Sequence, residues 1–129
     1  MNASVSNGRV DPRHVLGRAG EDYAVDYLRL QGLVVIERNW RCRAGELDVV
    51  ALDEVADTLV IVEVKTRRST TYGRPVEAVT RLKGARLRQL AHAWLREHPV
   101  AVTSVRIDVV GILVRPRTAP IIEHIRDVW

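Results

Sequence analysis

The stretch that decides the fold runs from residue 45 to residue 65. It consists of Gly45-Glu46-Leu47-Asp48-Val49-Val50-Ala51-Leu52, an acidic linker Asp53-Glu54-Val55-Ala56-Asp57, and Thr58-Leu59-Val60-Ile61-Val62-Glu63-Val64-Lys65. Both flanking runs are apolar and rich in β-branched residues, and the linker is short and polar, so the pair reads as a β-hairpin. With the turn centred between Val55 and Ala56, Asp53 faces Thr58, Val50 faces Ile61, Asp48 faces Glu63 and Glu46 faces Lys65. Residues facing each other across an antiparallel pair have Cβ atoms about 4.5–5.5 Å apart, where like charges destabilise the sheet. A bound cation offsets that repulsion. Hard divalent ions such as Mg²⁺ take oxygen ligands, typically one or two carboxylates completed by water and phosphate oxygens. Lys65 follows Glu63 by two residues and shares its face. There an ammonium can orient or help deprotonate an attacking water, or stabilise charge developing on a phosphodiester.

The ordinary alternative is a solvated strand face, on which Glu-x-Lys is common. The host strand argues against it. Val60, Val62 and Val64 occupy one face while Ile61 shares the other with Glu63 and Lys65, so the charged face is at least partly covered and the acid-base pair is a functional-site candidate. A further carboxylate comes from a first helix expected from Arg18 to about Gln31, where Ala24, Tyr27, Leu28 and Gln31 recur at helical spacing and Gly32 supplies the stop. Glu21 lies at the edge of that stripe, with Asp22, Asp26 and Arg29 on the wet face. Its place near a helix N-terminus is explained equally by the helix dipole and by a role in the site.

Charge distribution points to nucleic acid. The chain has 129 residues, a net charge of +4 and a pI of about 9.8. From Lys65 to Arg88 there are eight bases and one acid, Glu77, whereas the other residues hold twelve bases and fifteen acids. Positive charge is thus concentrated in the stretch that leaves the proposed site and enters a second helix, as expected where phosphates approach; a solvated basic helix is the alternative. Of the twenty bases only Lys65 and Lys83 are lysines.

The remainder fits one α/β unit. Residues 1–16 are polar and aperiodic and read as a mobile tail, leaving residues 17–129 as the domain. The tail's lack of an apolar core argues against a signal peptide, and no apolar run approaches the ~18 residues of a membrane span. Leu33 to Glu37 is a first strand and Trp40 to Ala44 a basic connection, with Arg41 and Arg43 available to backbone phosphate. Thr80 caps a second helix to about Glu97, with Leu87, Leu90, Ala91, Trp94 and Leu95 as its buried stripe. Ser104 to Val114 and Ile121 to Ile125 are the last strands. The single cysteine, Cys42, excludes an intrachain disulfide and fits a reducing cytoplasm. His14, His92, His98 and His124 lack zinc-ligand spacing. Trp94 is assigned to the core, Asp108 as readily to a buried salt bridge as to catalysis, and Glu46 to orienting Lys65.

Gly20-Glu21, Gly45-Glu46-Leu47-Asp48-Val49-Val50, Val62-Glu63-Val64-Lys65-Thr66-Arg67, Lys83 and Arg106-Ile107-Asp108-Val109-Val110, taken in order, resemble the YraN-like family of small bacterial proteins. That family is similar to the PD-(D/E)xK nuclease superfamily, which includes restriction endonucleases and archaeal Holliday junction resolvases. The resemblance implies a restriction endonuclease-like α/β domain, with a central mixed sheet of about five strands flanked by helices. It implies a Mg²⁺-dependent (or Mn²⁺-dependent) endonuclease acting on DNA, including branched or repair and recombination structures. Asp48 and Glu63 would hold metal, Glu21 would complete the metal site, and Lys65 would be the catalytic lysine. Arg41, Arg43, Arg67, Arg68, Lys83 and Arg86 would contact nucleic acid. Resolvase-like relatives further imply a homodimer, because two strands must be cut. Leu47 replaces the superfamily's proline, and Gly84 replaces the glutamine that often follows the second-helix lysine. The competing reading is a nucleic-acid-binding adaptor with an idle nuclease-like site.

Overall fold

A central five-stranded sheet carries a helix on each face in the computed structural model, which describes residues 5–6, 9–10, 12–71, 73–78 and 81–128, with side chains for 16–71, 73–76 and 81–128. Two short strands, β1 (Val5–Ser6) and β2 (Arg9–Val10), pair antiparallel ahead of α1 (Pro12–Leu30). Then follow β3 (Val34–Cys42), β4 (Gly45–Asp53), β5 (Thr58–Arg67), a 3₁₀ turn (Pro75–Ala78), α2 (Arg81–Glu97), β6 (Ser104–Leu113) and β7 (Ile121–Ile125). The sheet order is β3-β4-β5-β6-β7, antiparallel throughout except for the parallel β5–β6 pair. A parallel pair needs a crossover, and α2 supplies it.

The alternation of β5 separates two cores. Val60 and Val62 join Val49, Ala51, Val110 and Ile112 beneath Ala24, Val25 and Leu28 of α1. Leu59 and Ile61 join Leu47, Val50 and Ile107 beneath Leu87, Leu90, Ala91 and Trp94 of α2. Trp94 is fully buried, as expected, and its indole N–H donates to Glu37 Oε1 at 2.9 Å. The α1 stripe shifts by comparison with the expected one: Ala24, Val25 and Leu28 are buried and Gln31 is exposed. Gly32 ends the helix at φ 92°, a left-handed conformation that glycine adopts without penalty, and the Leu33 amide bonds back to Leu28 O at 3.1 Å.

Two boundaries differ from expectation, and a third lies outside the described residues. α1 begins at Pro12 rather than Arg18, since proline suits a first helical turn, where no intrahelical partner awaits its missing N–H; the rest of the expected tail lies largely outside the described residues. Thr80, the expected cap of α2, also lies outside them. β3 continues to Cys42, so Trp40-Arg41-Cys42 are strand rather than connection, pairing with Leu47, Glu46 and Gly45. The buried Trp40 ring anchors that extension in the α2-side core. A register shift between Val35 and Glu37 and a positive φ of 55° at Asn39 interrupt the strand's alternation.

Candidate active site

The hairpin register is the one read from the sequence: Asp53 pairs with Thr58, Leu52 with Leu59, Ala51 with Val60, Val50 with Ile61 and Val49 with Val62. There the ladder stops. Continued by one step it would set Asp48 against Glu63, but the strands diverge and the Val64 amide donates instead to Asp48 Oδ2 at 2.9 Å. On the other side of β4, Asn39 opposite Asp48 is likewise missing from the β3–β4 pairing. Asp48 is therefore inserted where three strands loosen, and its carboxyl still reaches that of Glu63.

The electrostatics follow from this placement. Burial pushes the Asp48 carboxyl up to about 7, the neighbouring Glu63 charge adds to the rise, Glu21 contributes less, and the Val64 hydrogen bond opposes them. The Glu63 side chain is only 6% exposed, and its Oε2 lies 3.5 Å from Lys65 Nζ and 3.2 Å from Lys83 Nζ. Lys83, expected to meet nucleic acid, thus reaches across from α2 to the carboxylate itself. Asp48 and Lys65 open onto a cleft of about 1070 Å³ between α1 and the free ends of β3, β4 and β5. Gly20 lets α1 lie this close to β5: a Cβ built there would stand 2.8 Å from Thr66 Cγ2 and 2.9 Å from Thr66 Cβ.

Glu21 lines the same cleft but is held from the far side. Its Oε1 accepts from Arg38 Nε at 3.2 Å, Arg38 Nη2 at 3.1 Å and Asn39 Nδ2 at 2.9 Å. Among the described residues no three His, Cys, Asp or Glu side chains gather closely enough to enclose an ion on their own. The protein thus offers two adjoining carboxylates, Asp48 and Glu63, with Glu21 behind them. That donor set suits a hard divalent ion that keeps water and phosphate oxygens in the rest of its shell.

The basic candidates divide. Arg41 and Arg67 line the cleft, and Arg41 Nε pairs with Glu46 Oε2 at 3.1 Å, so the expected Glu46–Lys65 partnership gives way to a strand-end ion pair. Arg43 sits at the exposed tip between β3 and β4, Arg68 just past β5 and Arg86 on the exposed side of α2; none of these three lines the cleft. Arg18 and Arg38 do line it. Neither stands out in the sequence: Arg18 falls at the expected start of the helix, and Arg38 lies just past the expected end of the first strand, its only signal being the Arg-Asn pair ahead of Trp40. Asp108 belongs to a separate, buried network. It accepts from Arg106 Nε at 2.9 Å, from the Asp127 amide at 3.0 Å and bonds His124 Nε2 at 2.8 Å, while His124 Nδ1 meets Tyr27 OH at 3.0 Å. Burial would raise the Asp108 pKa, but these bonds outweigh it and hold the carboxyl below its usual range. Its role is structural, tying β6 to β7, the C-terminal segment and, through Tyr27, α1.

Among the described residues no helix is long and apolar enough to cross a membrane. Residues 20–112 match the family described as "Uncharacterised protein family UPF0102". A UPF0102 protein of Acidothermus cellulolyticus is 49% identical over 132 residues, covering 95% of this chain and 98% of the relative. One from Streptomyces griseus is 52% identical over 120 residues, covering 92% and 99%. One from Nocardia farcinica is 46% identical over 129 residues and spans both chains completely.

Proposed function

From the premise that the chain belongs to the uncharacterised protein family UPF0102, the YraN-like family of the sequence resemblance, we propose that it is a metal-dependent endonuclease hydrolysing phosphodiester bonds in DNA. The observation that carries this reading is the meeting of Asp48 and Glu63 at the divergent end of β4 and β5, with Lys65 on Glu63 and Asp48 facing a cleft rimmed by arginines. A buried like-charge pair is expensive to fold without a function for it.

Asp48 and Glu63 would hold Mg²⁺ or Mn²⁺. Bound there, such an ion supplies Lewis-acid polarisation of a phosphoryl oxygen and a more acidic water. The chain's own groups do the rest. The Val64 amide fixes the Asp48 carboxylate by a hydrogen bond that asks for the charged form. Lys65, partly exposed beside Glu63, orients the attacking water or faces the charge that grows on the phosphate. Arg18, Arg41 and Arg67 line the approach and attract backbone phosphates irrespective of sequence. Glu21, secured by Arg38 and Asn39, adds negative potential behind the pair and so favours a cation at Asp48.

The test is cleavage of labelled single-stranded, duplex, flapped and four-way-junction DNAs with Mg²⁺ or Mn²⁺ by the parent chain, Asp48→Ala and Lys65→Ala. Cutting by the parent alone is the expected result and names the preferred structure. No metal-dependent cutting of any substrate, with salt-sensitive binding equal in all three proteins, would replace the nuclease with a DNA-binding adaptor.

A further inference from the structure

Only two of the chain's twenty basic side chains are lysines, and both end on one atom. Lys65 Nζ and Lys83 Nζ lie 3.5 Å and 3.2 Å from Glu63 Oε2. They arrive from different elements, Lys65 from the same strand as Glu63 and Lys83 from the first turn of α2. A buried carboxylate beside a second one demands compensation, and here two ammonium groups supply it. A divalent ion at Asp48 and Glu63 would leave the centre over-compensated with both lysines in place, since cations at such separations repel strongly in a partly desolvated site. One lysine must then withdraw. Lys65 is 28% exposed and tied to the strand two residues from Glu63, whereas Lys83 is 43% exposed and reaches Glu63 across the gap between helix and sheet. Lys83 is the more exposed of the two.

We propose that Lys83 is a positioning residue that stands in for the metal: it holds Glu63 Oε2 while the ion is away, gives that oxygen up as the ion binds, and thereby sets the metal affinity of the site. The proposal rests on the nuclease reading above. It adds that the N-terminal turn of α2, the start of the basic helix, is electrostatically linked to whether the site is loaded.

Calorimetric titration with Mn²⁺ tests it, using the parent chain, Lys83→Met, Lys83→Gln, Lys83→Arg and, as a control of similar charge on the same helical turn, Arg81→Met. Lys83→Met and Lys83→Gln are expected to bind Mn²⁺ about fivefold more tightly, the scale of one half-exposed ion pair. Both should melt at a lower temperature without metal and gain more from saturating Mn²⁺ than the parent does. Lys83→Arg is expected to restore the parental affinity, and Arg81→Met to leave it unchanged. Unchanged or weaker binding by both neutral Lys83 variants would overturn the proposal alone, as would an equal gain in Arg81→Met, which would make the effect one of overall charge. A parent chain with no Mn²⁺ site that Asp48→Asn abolishes would overturn the nuclease reading and this proposal together.

Discussion

Asp48 Oδ2 accepts the backbone amide of Val64 at 2.9 Å, at the step where β4 and β5 cease to pair. A side chain has taken over a donor of the ladder, and that substitution is what carries a carboxylate into the sheet beside Glu63. The consequence is a carboxyl group with a pKa of about 7, which the proposed metal ion would need ionised.

Asp48→Asn is expected to stabilise the metal-free protein at pH 8 by about 1–3 kcal/mol, because the amide still accepts from Val64 and no longer opposes Glu63. The folded-state pKa lies above the ordinary aspartate value of 3.8. The stability associated with this group is therefore complete below about pH 4 and is lost as pH rises through 7. The gain from Asn should fade as urea unfolding is repeated from pH 8 down to pH 4; a gain that persists at pH 4 would assign it to something other than Asp48 ionisation.

Metal binding should follow the same proton with the opposite demand. Mn²⁺ must displace it from Asp48, so the affinity is expected to rise about tenfold per pH unit below 7 and to level off above. An affinity that is flat between pH 5.5 and 7 would place the ion elsewhere.

Lys65→Met removes the ammonium beside Glu63 and leaves the α2-side core untouched. Cleavage is expected to fall by about 10²–10⁴, the span of a positioned proton-transfer or charge-stabilising group, with an unchanged circular dichroism spectrum. Asp108→Asn should do the reverse. It strips charge from a carboxylate that Arg106, His124 and the Asp127 amide all engage, and is expected to lower the unfolding free energy by about 2–4 kcal/mol while the rate per folded molecule holds.

Gly20→Ala sets a methyl group against the Thr66 side chain. The expected loss is about 1–3 kcal/mol of stability, together with weakened cleavage, as α1 and its Glu21 are displaced from the cleft. Adding Thr66→Ala should return part of both; strictly additive losses in the double variant would show that the two positions are not in contact.

Why some of this was legible in sequence and some was not has physical causes. The β4–β5 hairpin declares itself because two apolar, β-branched runs flank a short acidic linker that leaves one sensible turn, so counting brings Asp48 and Glu63 together. The α2 stripe is plain because Leu87, Leu90, Ala91 and Trp94 recur at helical spacing. β3 was misjudged from Arg38 onward because the register shift after Val35 and the left-handed Asn39 each break the period on which strand reading depends. With the strand ended early, Arg38 and Asn39 could not be seen to hold Glu21. Glu46 was paired with Lys65 by extending a ladder that ends at Val49. Lys83 meeting Glu63 depends on how α2 packs across the sheet, a relation between distant segments that no local pattern encodes.

The most direct test of the central claim, that Asp48 and Glu63 form a cation-binding centre for phosphodiester hydrolysis, is anomalous diffraction from crystals of the protein grown with Mn²⁺ and a short DNA. A manganese peak is expected between the two carboxylates, with a phosphate oxygen beside it and no peak in Asp48→Ala crystals. Well-ordered DNA in the cleft with no manganese at Asp48 or Glu63 would contradict it.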